Sequence, residues 1–344
     1  MPGSAVRETP VPDESQEPTL GSYLHEWLER RTSQLRPTTW ASYRQLINAY
    51  VVPWLGGRHL SELDRRVLEA SYVKLLSNGG RGGRGLSVRT VQYVHSVLHC
   101  ALQDAVIDGL LDINPARNAR APKHHPDQEE LADERPLWTE EQTAAFLAFV
   151  ADHPWQPLWQ LALGTGARRG ELLGLRWSDV DLDGAQVTIQ RALSVVDGVP
   201  RLLGTKTSRG RRLAIGASVV EALRRQAQAQ QHERERAPSG DDRWDLVFTD
   251  GLGGPIDPME VTKEFRRLVR RAPVPVVRLH DLRHLHASLL LQRGLPMKVV
   301  SERLGHSTIM VTIDVYGHVL PAMDAEAAAE IEAVFNEAPA TRPT

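Results

Sequence analysis

Leu20, Tyr23, Leu24, Trp27 and Leu28 follow Thr19 at spacings of three and four, which predicts an amphipathic helix. A second stripe follows Pro37 and Thr38 (Trp40, Tyr43, Ile47, Tyr50, Val51) and is expected to stop at Pro53. Ser61 opens a third, with Val67, Leu68 and Leu75. A fourth runs through Val88, Val91, Val94, Leu98, Leu102 and Ala105 and ends near Asn114-Pro115. The string N-G-G-R-G-G-R-G at 78–85 reads as a flexible, basic turn. No alternating pattern interrupts the four stripes, so residues 19–115 are expected to form a small helical domain. Residues 1–18, rich in proline and acids, read as a disordered tail. The polar, acidic stretch 116–136 reads as a linker.

A second body begins at Leu137-Trp138-Thr139, where Thr139 and Gln142 stand at capping-box spacing. Helical patterns cover about 139–151 and 157–175, the latter broken at Thr165-Gly166 with a new start near Ala167. Short alternating segments follow at 185–192, 201–206 and 211–215, with Asp197-Gly198 and Ser208-Arg209-Gly210 in the turns. Helices return at about 217–235, 258–271, 281–293, 296–303 and 307–316. The expected fold is mainly α with a small antiparallel β-sheet: a helical domain, then a mixed α/β domain over 137–320. In the closing tail, 321–344, a short helix at 325–335 places Ala328, Ile331, Val334 and Phe335 on one side.

Composition changes this picture in two ways. The chain has 344 residues and a net charge of −2, which argues against a polyanionic partner until the charge is mapped. Residues 1–18 carry −3, 126–134 carry −5 and 321–344 carry −4, which leaves +10 for the two bodies. Residues 20–125 hold fourteen bases and eight acids. Such charge suits phosphate contact. The single cysteine, Cys100, excludes an internal disulfide and a Cys-rich zinc site, and the cytoplasm is the expected compartment. No run of 18 apolar residues occurs and the N-terminus lacks an apolar stretch, so neither a membrane span nor a secretory signal is expected.

Several chemistries lack their motifs. There is no G-x-x-x-x-G-K-[ST] loop for ATP and no G-x-S-x-G. His280 and His284 stand four apart as a metal pair would, but the glutamate of H-E-x-x-H and a third ligand are missing, so no metal is expected. What remains is a scattered set of phosphate-directed groups. T-G-A-R-R-G-E-L-L-G-L-R-W at 165–177 sets Arg168 in the first turn of a helix, with Glu171 three residues on to brace it. G-T-K-T at 204–207 puts Lys206 in a hairpin turn. H-D-L-R-H at 280–284 places His280 and Arg283 on one helix face. L-G-H-S-T-I-M-V-T-I-D-V-Y-G-H at 304–318 carries His306 and Tyr316. Alone, each group is more often a solvated pair, a solvated turn or a packed core residue.

Taken together and in order, Arg168, Lys206, His280-x-x-Arg283, Leu304-Gly305-His306 and Tyr316 resemble the signature segments of the tyrosine recombinase (phage integrase) family. The resemblance spans most of 19–335, the first half by helical pattern and the second by motif. It implies a site-specific recombinase, with integration or excision of a phage or other mobile element foremost and resolution of replicon dimers left open. Tyr316 would attack phosphorus to give a 3′-phosphotyrosine and a free 5′-hydroxyl. Arg168 and Arg283 would clamp the non-bridging oxygens with bidentate forks. His306 would add a donor, His280 a donor or proton acceptor, and Lys206 the proton for the leaving hydroxyl. Glu171 would orient Arg168. His284 and His318 lie beside the motif positions and are not expected to act. The covalent link conserves the phosphodiester energy, so no ATP, metal or other cofactor is expected.

The implied partner is double-stranded DNA, gripped in part by Arg36, Arg44, Arg81, Arg84 and Arg89 of the helical domain. Four protomers would exchange strands through a Holliday junction, with an excisionase as a possible accessory factor. The tail helix would dock on its own domain or on the next protomer. About 18 residues precede the helical pattern, too few for the arm-site domain of many phage integrases. The rival readings are a type IB topoisomerase-like enzyme that relaxes DNA, and a catalytically silent DNA-binding protein with a structural Tyr316.

Overall fold

The computed structural model describes residues 17–123, 137–204, 210–236, 242–316, 328–329, 331–333 and 335. The expectations for the tail up to residue 16, for 124–136 of the linker, for Lys206 and the Ser208-Arg209 turn, and for most of 321–344 lie outside the described residues. The chain divides into two compact units, Met1–Glu134 and Arg135–Thr344. It is mostly helical with small antiparallel sheets. Among the described residues no helix is long and apolar enough to cross a membrane.

The first unit holds α1 (Leu20–Arg30), α2 (Pro37–Leu46), α3 (Val52–Leu55), α4 (Arg65–Asn78) and α5 (Val88–Ile107). Side-chain oxygens of Thr19, Asp64 and Ser87 cap the N-termini of α1, α4 and α5. Ser61 does not open α4. It lies in a 3-10 turn, Leu60–Glu62, and Asp64 supplies the cap. Pro53 does not end the second stripe either. Ile47–Val51 widens into a π-helical turn and the helix resumes as α3. Proline lacks an N–H and crowds the preceding turn, and the wider register ahead of it accommodates both defects.

Trp27 organises this core: it stacks on Tyr43 with ring centres 6.1 Å apart and donates its indole N–H to Asp104 Oδ2 at 2.6 Å. Tyr23 donates to the Ala101 carbonyl at 2.8 Å, a second tie between α1 and α5. Ala116 and Ala119 are buried in the same core, so the helical unit extends past residue 115 into the stretch read as linker.

The second unit opens with α6 (Glu140–Phe149), where Thr139 and Gln142 do form the capping box. α7 (Gln156–Thr165) and the short α8 (Arg169–Leu173) follow. Then come β1 (Val180–Asp181), β2 (Gln186–Ile189), β3 (Arg191–Val196), β4 (Val199–Gly204) and β5 (Arg211–Ala214). The alternating segment at 185–192 is two strands, not one, and the strands form two sheets. β1-β2-β5 is a three-stranded antiparallel sheet, and β3-β4 is a separate hairpin. Asp197 and Gly198 turn that hairpin with φ of 54° and 75°, both positive as a type I′ turn requires.

The chain continues with α9 (Ala217–Arg236), α10 (Pro258–Val269), α11 (Asp281–Gln292), α12 (Met297–Leu304) and α13 (Met310–Tyr316). Trp138, Phe146, Trp159 and Phe265 fill the main core, with ring centres 4.8 to 6.4 Å apart along the cluster. Ala287, Leu291, Val300, Leu304 and Tyr316 form a second, smaller core from α11, α12 and α13. That smaller core places the end of α13 against α11.

Candidate active site

Arg283 sits in the first turn of α11 and is buried at 4% exposure. Its Nη1 donates to the Gly166 carbonyl at 2.7 Å and its Nη2 to the Leu304 carbonyl at 2.8 Å. Both acceptors lie at helix C-termini, where carbonyls lack intrahelical partners and carry partial negative charge. Gly166 ends α7 with φ 62° and Gly305 ends α12 with φ 68°, the left-handed region that favours glycine. The His306 amide then closes on the Ser301 carbonyl at 3.1 Å, which fixes the L-G-H segment as a helix cap. Burial, then the charge of Arg168, pushes Arg283 down to about 10, so it stays cationic at neutral pH.

Arg168 is the N-cap of α8 rather than a first-turn residue. Glu171 caps it in return, accepting the Arg168 backbone N–H at 2.9 Å and its guanidinium at 3.0 Å. Glu171 also accepts both terminal nitrogens of Arg211 on β5, at 3.1 and 2.7 Å. Burial raises this carboxyl, but the hydrogen bond and charge of Arg211, with Arg168, outweigh it and hold it below the usual carboxylate range. Arg211 reaches on to the Arg303 carbonyl at 2.9 Å. Arg303 donates to His286 Nε2 at 3.2 Å and to the Gly164 and Ala214 carbonyls. His286 donates its Nδ1 proton to the Leu163 carbonyl at 2.7 Å.

Tyr316 ends α13 and is 3% exposed. Its hydroxyl lies 2.8 Å from His284 Nδ1. One turn earlier, buried Thr312 pairs its hydroxyl with His306 Nδ1 at 2.7 Å. Thr312 and Tyr316 therefore share the inward face of α13. His280, at the N-cap of α11, meets the His284 ring edge-on with centres 5.2 Å apart.

Desolvation, then the charges of His284 and Arg283, pushes His280 down to about 4. His306 falls to about 4 through desolvation, then Arg283 and Arg168. Burial raises Tyr316 to about 12 against the pull of Arg283. Arg283 thus acts on the ionisation of His280, His306 and Tyr316 from widely separated parts of the chain.

Lys206 lies outside the described residues, between β4 and β5. Arg211, Arg303, Thr312 and the His284 contact escape a reading by motif. Of these, only Thr312 leaves a periodic trace, one helical turn before Tyr316. A cleft of about 730 Å³ opens beside the site, lined by Arg168, His280 and Arg283 together with Arg169, Arg266 and Arg270. In the helical unit, Arg36, Arg81, Arg84 and Arg89 are exposed. The Arg44 guanidinium stacks over Trp40 at 4.6 Å. Among the described residues no cluster of three or more His, Cys, Asp or Glu could hold a metal.

Residues 138–323 match the model of the Phage integrase family, and 19–76 match the phage integrase N-terminal SAM-like domain. A XerC-like tyrosine recombinase of Caldanaerobacter subterraneus subsp. tengcongensis is 30% identical over 93% of this chain and 84% of its own length. An integrase of Streptomyces ambofaciens is 28% identical over 94% of this chain and 82% of its own. Among solved structures, the Tn1549 transposon integrase in complex with a circular intermediate DNA superposes with a TM-score of 0.73 at 20% identity, over 92% of this chain and 99% of that one. A lambda integrase tetramer bound to a Holliday junction gives 0.63 at 18% identity, over 86% and 79%.

Two outcomes test this geometry. A Cβ at position 166 would lie 2.7 Å from His286 Cδ2 and 2.8 Å from Leu304 Cδ2. Gly166→Ala is therefore expected to add overpacking of about 1–3 kcal/mol to a left-handed backbone penalty of roughly 1–2 kcal/mol. Denaturant titration should show the loss; wild-type stability would contradict the packing. The second outcome concerns pH. His286 is buried, and burial pushes it down to about 4. Between about pH 6.5 and 4 the unfolded chain takes up a proton that the native one refuses, so stability is full above 6.5 and lost as pH falls. The melting temperature should decline across that window, less steeply in His286→Gln; parallel slopes would contradict the assignment.

Proposed function

The chain belongs to the phage integrase family of tyrosine recombinases, and from that premise we propose how its own residues carry the reaction. It is a site-specific recombinase that cleaves and rejoins DNA through a covalent 3′-phosphotyrosine. Tyr316 is the nucleophile. Arg283 uses two of its five N–H donors on carbonyls, which leaves three for the phosphate. Arg168, with its side chain 41% exposed, takes the other side of the phosphate. With Thr312 donating to His306 Nδ1, the ring proton stays on Nε2, a donor for a non-bridging oxygen. His280 borders the same cleft as a further donor or acceptor. Glu171 acts through Arg168, which it holds in place, and Lys206 protonates the leaving 5′-oxygen. Fixed donors around a developing charge supply the largest share of such catalysis, with roughly 2.7–4 kcal/mol for one donor as a scale.

The observation that carries this reading is the position of Arg283, which binds the Gly166 carbonyl two residues before Arg168 and the Leu304 carbonyl two residues before His306, with Leu304 in the same small core as Tyr316. The reading extends to the assembly. The first unit grips the duplex through Arg36, Arg44, Arg81, Arg84 and Arg89, and Arg266 and Arg270 extend the phosphate track beside the catalytic cleft. Four protomers act together in the cytoplasm on integration or excision of a mobile element, with an excisionase-type accessory factor setting direction. Ile331 and Phe335 are 55% and 68% exposed, which supports docking of the tail helix on a neighbouring protomer.

The test uses a random duplex library nicked to trap covalent adducts, which yields the target site as well. Wild type should form a protein–DNA adduct and Tyr316→Phe none; an adduct in the Phe variant would end the nucleophile assignment. Lys206→Ala should slow cleavage by roughly 10²–10⁴-fold. A 5′-thiol leaving group, which needs no proton, should restore the rate. Failure to restore it would remove Lys206 from the general-acid role.

A further inference from the structure

The hydroxyl of Tyr316 has a specific partner that the family motif does not name. We propose that His284 takes the phenol proton as Tyr316 attacks phosphorus and returns it on religation, an inference that rests on Tyr316 being the nucleophile. His284 Nδ1 lies 2.8 Å from the hydroxyl, and the two rings are 5.7 Å apart at 53°. Tyr316 is packed among Ala287, Leu291, Val300 and Leu304, so its O–H is shielded from bulk water and needs an acceptor inside the protein. Nδ1 is that acceptor, which puts the imidazole proton on Nε2. His306 spends its own Nδ1 on Thr312. A phenol with an ordinary pKa of about 10 does not ionise unaided at neutral pH, and burial raises this one further.

The step balances as follows. The Tyr316 oxygen bonds to phosphorus while the bond from phosphorus to the 5′-oxygen breaks. The phenol proton moves to His284 Nδ1 and leaves an imidazolium, and the departing oxygen takes its proton from the general acid. Religation runs the same transfers backwards.

The full chain and a nicked trap carrying its selected site test the idea by single-turnover cleavage, with DNA binding followed by gel shift. His284→Ala and His284→Asn should bind DNA normally and cleave roughly 10²–10⁴-fold more slowly. The Asn variant keeps a polar group near Nδ1 but cannot take up a proton, so it reads the role even where Ala disturbs packing. Replacing Tyr316 by a fluorinated, more acidic tyrosine should shrink the deficit of both variants, whereas a 5′-thiol substrate should not. A purely structural His284 would respond to neither. Wild-type rates in the variants, a deficit untouched by fluorination, or faster cleavage (a latch on the tyrosine) would each overturn the proposal. Adduct formation by Tyr316→Phe would instead overturn the nucleophile on which it rests.

Discussion

A guanidinium buried between two helix ends holds this site together. Taking an ion out of water costs several kcal/mol even after relaxation. Arg283 offsets that cost with the Gly166 and Leu304 carbonyls and with the nearby carboxylate of Glu171. Each contact comes from a different segment, so one side chain on α11 fixes the end of α7 and the end of α12. Both ends turn through left-handed glycines, which lets the carbonyls converge without a Cβ in the way. The guanidinium of Arg283 is thereby held in a fixed position.

Glu171 divides labour between two arginines. It is buried at 3% exposure and binds both. The Arg211 side chain is 13% exposed and carries most of the neutralisation, while Arg168 is 41% exposed and keeps much of its fork toward solvent. A single carboxylate thereby holds a cation at the surface without consuming it. Through Arg211 the same carboxylate is tied to α12, and through Arg303 and His286 to α7 and α11.

The second half of the site is built on α13. His306 and Tyr316 are ten residues apart in sequence, yet Thr312 links the first to the helix that carries the second. Burial governs the protonation states here. His280, His286 and His306 are all driven toward the neutral form, and the tyrosine toward the phenol. Arg283 therefore keeps its charge at neutral pH, while these three histidines stay neutral and can pass protons.

Sequence alone determined what depends on near neighbours. Apolar periods marked the helices of both units, Asp197-Gly198 marked the hairpin turn, Thr139 and Gln142 the capping box, and Leu304-Gly305-His306 a helix end. The order of its polar strings also marked the family. Caps, turns and helix periods are short-range physics, written within a few residues of where they act. Even there a local rule failed at Pro53, because a π-turn absorbed the proline that should have ended the helix. Tertiary structure alone decided which cation is buried, which carboxylate holds it and which histidine meets the tyrosine. Arg211 was only the first residue of an alternating segment, and His284 a bystander beside a motif. Hydrogen bonds and ion pairs act over about 3 Å, and only packing brings such groups that close when the chain keeps them far apart.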